Sequence, residues 1–314
     1  RLGAPMSLVL VNIAAAALGV VLAAALAARA ELLRRRLPAL AFVASIAIAT
    51  TLALPGAEGV HRWLGLGAVR LHAAAWLAPL ILAGGLHLRS AGRTLAAVLL
   101  LVGTQAIHLA QPDAAQASAL AIGWIAALAP NGRTGQRANE LGLGALLVAL
   151  ALVTWLRPDP LTAARFSEEV LRSAWRDAPL WAALGAAALA WLVFAPSILW
   201  GRDAAAPLLA PENESSGGES TTAPDPAASR VDLSPRAWAR ASRVDLSPRA
   251  WARAMSAYFA AVVGASCVGA FPVPILGFGA SPVLGAALGL GLFVLFAPVE
   301  GDGPRSQPSM RFRG

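Results

Sequence analysis

Four carboxylates and four arginines crowd one short polar stretch of an otherwise apolar chain: Asp159, Glu168, Glu169 and Asp177, with Arg157, Arg165, Arg172 and Arg176. A carboxylate in such a place can take the proton from an attacking hydroxyl. Glu168 and Glu169 are the candidates for that role, because Arg165 and Arg172 flank them. Those two guanidinium forks could meet a diphosphate bidentately. The same spacing also fits an amphipathic surface helix laced with i,i+3 and i,i+4 ion pairs.

Three further islands interrupt apolar runs with Pro, Gly or charge. The first is Gly59-Val60-His61-Arg62-Trp63-Leu64-Gly65-Leu66-Gly67, followed by Val69-Arg70-Leu71. Arg62 and Trp63 could bind a ligand, or could anchor the chain at a membrane edge. The second is Gln111-Pro112-Asp113. Here Pro112 should stop one helix and Asp113 could cap the next. The third spans Gly269 to Pro282 and holds Pro272, Pro274, Gly277, Gly279 and Ser281. It reads as a broken or re-entrant segment, or as a plain Pro-rich turn. Irregular backbone at membrane depth survives only where protein or water covers it. The histidines, His61, His72, His87 and His108, lie at separate span ends without metal-ligand spacing. No metal site and no cofactor are expected. Gln105 and His108 share one helix face and should point into a protein interior.

The elements that must position these residues are transmembrane helices. The 314 residues are 57% hydrophobic and 13% charged, against about 25% charged in soluble domains. A crossing needs about 20 mostly apolar residues. The runs at 6–28, 37–54, 72–88, 94–110, 114–130, 141–156, 180–200, 255–271 and 281–298 predict an all-α polytopic bundle of about nine spans. The first run is too long for a signal-peptide core, and arginines follow it where a cleavage site would stand. The net charge of +8 does not signal nucleic acid, because the arginines cluster between apolar runs. Their distribution favours an outside N-terminus and a cytoplasmic C-terminus. The lone Cys267 permits no internal disulfide.

The organisation follows: spans one to seven in 1–201, a cytoplasmic linker in 202–254, two spans in 255–298 and a basic tail in 299–314. Residues 203–229 carry five acidic and no basic residues and should be disordered. ASRVDLSPRAWAR then occurs twice, at 228–240 and 241–253. It suits a basic interfacial helix, or records a tandem duplication in an unconstrained linker.

In order along the chain, the three islands resemble the SEDS family, to which FtsW and RodA belong. GVHRWLGLG resembles the family's G-x-R-R-W-x-x-L-G element, QPDAAQA the first half of Q-P-D-x-G-T, and PVPILGFGASP the P-x-P-F-x-S-Y-G-G-S-S element. The resemblance implies a ten-span plan whose second helix is this chain's first. It implies a bacterial cytoplasmic-membrane protein that acts on a polyprenyl-linked sugar in peptidoglycan synthesis, cell division or cell shape. Its partners would be the bilayer, that precursor and a membrane-anchored cell-wall synthase or other membrane subunit. Arg62, Trp63, Gln111, Asp113, Arg165, Arg172, Pro272, Pro274, Gly277, Gly279 and Ser281 would then touch substrate. The departures fall on the chemistry. The family's Q-P-S-E-x-x-K reads His72-Ala73-Ala74-Ala75-Trp76-Leu77-Ala78 here, and its H-T-D-F element is missing. These losses favour a pseudoenzyme that binds precursor or partner. An active glycosyltransferase using Glu168 or Glu169 is the alternative. A small-molecule transporter ranks third, since no internal symmetry marks an inverted repeat.

Overall fold

The computed structural model describes residues 6–56, 58–66, 69–128, 134–161, 169–201, 248–269, 271–274, 276 and 279–296. The acidic stretch, the first repeat copy and the basic tail lie outside these residues, as do Arg165, Glu168 and Gly277. The protein is a helical bundle: α1 Met6–Ala28, α2 Ala30–Thr50, α3 Ala73–Ser90, α4 Thr94–Ala110, α5 Ala114–Ala127, α6 Thr134–Trp155, α7 Val170–Asp177, α8 Pro179–Gly201, α9 Pro248–Val268 and α10 Ala280–Gly291. Each of the nine predicted runs overlaps one of these helices, and α7 is a short extra one among the described residues. Among the described residues, five helical stretches are long and apolar enough to cross a bilayer by themselves, within α1, α2, α6, α8 and α9. The chain is a multi-pass membrane protein.

Three boundaries differ from expectation for identifiable reasons. No loop separates α1 from α2. Arg34 and Arg35 instead lie in the first turns of α2, where Glu31 pairs with both and Arg34 Nε donates to Leu295 O at 2.9 Å. Helix α9 begins at Pro248, inside the second repeat copy, rather than at 255. Trp251 is fully buried there, stacks on Phe296 at 5.0 Å and donates its indole N–H to Gly289 O at 3.2 Å. A two-stranded antiparallel hairpin, β1 Trp63–Leu66 and β2 Val69–His72, precedes α3. Its register sets Trp63 opposite His72.

Helix α5 is the hub. It packs most heavily on α9 and also meets α3, α4 and α6. Its 14 residues rise only about 21 Å, short of the roughly 30 Å hydrocarbon core. Without a hydrophobic drive between helices in lipid, close packing of small residues holds such bundles together. Gly84 of α3 lies where a Cβ would strike Ala41 of α2, and Gly285 of α10 lies where one would strike the Ala75 carbonyl at the start of α3. The second contact sets α10 against the turn that carries His72.

Candidate functional site: a polar cavity at the head of α3 and α5

The three islands meet at one place. Arg62, at the entry to β1, is 2% exposed and holds the second island by its backbone. Its Nε donates to Gln111 O at 2.9 Å, and one terminal nitrogen donates to Pro112 O and to Asp159 Oδ2, the latter at 2.8 Å. The guanidinium also sits over the Phe271 ring, 5.7 Å from its centroid, which reaches the third island. Gln111 ties the α4 end to α2, donating to Ile48 O at 3.0 Å and to Thr51 Oγ1 at 2.5 Å. The His72 backbone N–H donates to Ser281 Oγ at 2.7 Å, so α10 is fastened to the hairpin.

Asp113 caps α5 by accepting from the Gln116 N–H. Its other oxygen is buried without a hydrogen-bond partner among the described residues. That oxygen faces His72 Nε2 at 3.4 Å and His108 Nδ1 at 4.0 Å. The tautomer of His72 follows from its second nitrogen. Nδ1 accepts from the Ala75 N–H at 3.1 Å, so in the neutral ring Nε2 carries the hydrogen and points it at Asp113. A metal on Nε2 would require the reverse, a proton on Nδ1 and a lost cap. No three-ligand metal cluster occurs among the described residues.

Asp113 lies in the turn ahead of α5 and His72 ends β2 ahead of α3, so both stand outside the helices. Burial pushes the Asp113 carboxyl up, but facing His72, Arg62 and His108, with the Gln116 N–H, hold it below the ordinary carboxylate range. Burial pushes the His72 imidazole down; Asp113 opposes this and Arg62 adds to it.

A small cavity, with about 20 Å³ of space open to a water-sized molecule, lies against this pair. Beyond His72 and Asp113 its wall is Ala75, Ala115, Gln116, Val262, the aromatic rings of Tyr258, Phe259 and Phe271, and the rings of Pro272, Pro274 and Pro282. Tyr258 donates its hydroxyl to Gln116 Oε1 at 2.5 Å. The remaining sequence candidates sit elsewhere. Glu169 is exposed at the start of α7, and exposed Arg172 donates to Cys267 O at 3.0 Å. Trp63 packs edge-on against His72 with ring centroids 6.2 Å apart. The N–H of Gly279 donates to Asn12 Oδ1 on α1 at 3.0 Å. Gln105 donates to Ala117 O at 2.9 Å and Leu147 O at 3.1 Å, a packing role.

Sequence reasoning did not select His72, Gln116, Tyr258 or Phe271. Tyr258 carried one signal, being the single tyrosine of the chain and set within an apolar span.

The sequence matches no family model and no curated protein. The structure is similar to the crystal structure of the rod shape determining protein RodA of Thermus thermophilus. The TM-score is 0.55 at 18% identity, with 94% of this chain and 88% of that chain covered. The fold is that of RodA. An aspartate-to-alanine variant of the same RodA matches with a TM-score of 0.54 at 19% identity, over 94% of this chain and 89% of that one. The SEDS-like architecture expected from the three islands is therefore present, and in this RodA-like bundle the islands form one wall-to-wall site.

Proposed function

We propose that this RodA-like protein serves bacterial cell-wall assembly by binding a polyprenyl-linked sugar precursor, with catalysis degenerate. The observation that carries the reading is convergence. Three segments separated by 49 and more residues come together beside a single cavity, and a buried carboxylate oxygen there keeps no hydrogen bond among the described residues. Buried polar groups are ordinarily hydrogen-bonded, and an ionisable residue inside a membrane bundle is a functional site by default. The stretch that opens α3 supplies no acid and base pair beyond His72, since Ala73, Ala74, Ala75 and Ala78 follow it. Residence in the cytoplasmic membrane with the N-terminus outside, and a membrane-anchored synthase as partner, belong to the same reading.

A second reading, an active glycosyltransferase, draws on the segment after α6. Asp159 is paired with Arg62, which also holds the Gln111-Pro112 turn, so the segment leading to Glu169 begins beside the site. Purified protein reconstituted with a polyprenyl-linked disaccharide decides between them. The proposal expects bound but unpolymerised lipid. Polymer that disappears in the double variant Glu168→Gln, Glu169→Gln would replace it with the second reading.

A further inference from the structure

A second cavity lies where the end of α1 and the first half of α2 meet α3 and the 288–295 stretch. It shares no lining residue with the polar cavity. Ten leucines and Trp76 line it, it offers no polar surface, and about 180 Å³ of it is open to a water-sized molecule. An apolar cavity of about 150 Å³ stays dry and takes up a hydrocarbon. In a multi-pass membrane protein the hydrocarbon at hand is a lipid chain. The charged rim says which lipid. Leu26 of α1 and Leu33, Leu37 and Leu40 of α2 all line the cavity. Arg29 stands three residues after Leu26 and four before Leu33, and Arg36 stands three after Leu33 and four before Leu40. That spacing puts both arginines on the leucine face. The side chains of α2 lean toward its N-terminus, so Arg36 inclines toward Arg29. Both are exposed, and neither side chain makes a hydrogen bond or ion pair among the described residues. Arg34 is already engaged: it pairs with Glu31 and donates to the carbonyl of Leu295, itself a lining residue. That bond brings the basic cluster to the cavity rim. Four arginines there, Arg29, Arg34, Arg35 and Arg36, face the one acid Glu31.

We infer that this is a seat for an anionic phospholipid of the bilayer, with one acyl chain in the leucine cavity and the phosphate held by Arg29 and Arg36. Guanidinium groups meet phosphate bidentately, and clustered basic residues at a membrane surface recognise anionic headgroups. A free phosphate would leave the cavity empty. An uncharged lipid would leave both arginines without an anion. A glycerophospholipid satisfies both needs, and its second chain stays in the bilayer. The seat is independent of the precursor-binding reading above.

Native mass spectrometry of the full chain tests this, with release from micelles that hold equal phosphatidylglycerol and phosphatidylcholine of identical chains. The wild type should retain one phosphatidylglycerol in preference to phosphatidylcholine. The exposed double variant Arg29→Gln, Arg36→Gln should lower that preference by about fivefold for each arginine removed, the effect of a basic residue beside an anionic headgroup. Leu33→Trp, which fills the cavity and leaves the arginines in place, should abolish retention. Equal retention of both lipids by the wild type overturns the inference. So does an unchanged preference in the arginine variant, or unchanged retention in folded Leu33→Trp. Polyprenyl phosphate should displace the bound lipid no better than added phosphatidylglycerol does; stronger displacement would assign the seat to a carrier lipid and overturn the inference as well.

Discussion

Helix α3 carries a buried charge cluster at each end, and the two are built differently. At its C-terminal end Arg89 meets Glu140 of α6, with Nε to Oε1 at 3.1 Å and a terminal nitrogen at 3.0 Å, and also donates to Thr94. Both residues are buried, and neither has a buried side-chain nitrogen or oxygen without a partner. At the N-terminal end Asp113, His108 and Gln111 all keep buried polar atoms without hydrogen bonds among the described residues. The first cluster closes on itself and joins α3 to α6. The second holds its backbone together through Arg62 but leaves acceptors over beside a cavity. The contrast separates a structural ion pair from the cluster that we propose binds a ligand. Removing one partner of the closed cluster should damage the fold; changing the open cluster should damage binding first.

The comparison breaks most visibly if Arg89→Met is mild. That variant strands Glu140 and should cost about 3–5 kcal/mol, read as thermal unfolding in detergent. The double variant Arg89→Met, Glu140→Leu should recover most of the loss. Arg62→Met should cost about 3 kcal/mol, less than the first because Asp159 is half-buried and water can reach it. Its distinguishing mark is faster proteolysis between residues 157 and 169, which the wild type and Arg89→Met should not show. Gly285→Val pushes α10 off the Ala75 carbonyl and should cost about 1–3 kcal/mol, the usual range for overpacking, while weakening precursor binding through the shifted His72. Asp113→Asn should change stability least, within about 1 kcal/mol, because asparagine keeps the α5 cap and loses only the acceptor that faces His72. A large loss of stability there would place the open cluster with the closed one.

Much of the bundle was legible because charge and proline punctuate it. Helix α4 falls where it was expected, since Arg93 precedes it and Gln111-Pro112 follows it. The legible boundaries were those where polarity marks the end of a helix. The beginnings of α2 and α9 were obscured because their arginines are accommodated inside helices. Arg34 reaches Leu295 O, and Arg253 donates to Ala126 O at 3.1 Å, so positive charge did not mark a loop. Trp251, flanked by arginines, read as an interfacial anchor but fills a core seat. At the site, Arg62, Asp113, Pro272, Pro274 and Ser281 were readable as local breaks in apolar runs. His72 was seen only as a histidine without metal-ligand spacing and as a departure from a family pattern. Its pairing with Asp113 spans 41 residues, and no local periodicity encodes it. Tyr258 and Phe271 are ordinary apolar-span residues until α9 is laid against α5.

Entry of ligand at the open cluster is tested most directly by a photoreactive residue at Phe271, on the cavity wall, compared with one at exposed Leu95 near the Arg89 end, in membranes supplied with a polyprenyl-linked disaccharide. Labelling by the sugar-bearing lipid is expected at 271, competed by excess unmodified lipid, with only uncompeted background at 95. Equal labelling at both positions, or none at 271, would rule out ligand entry at the open cluster.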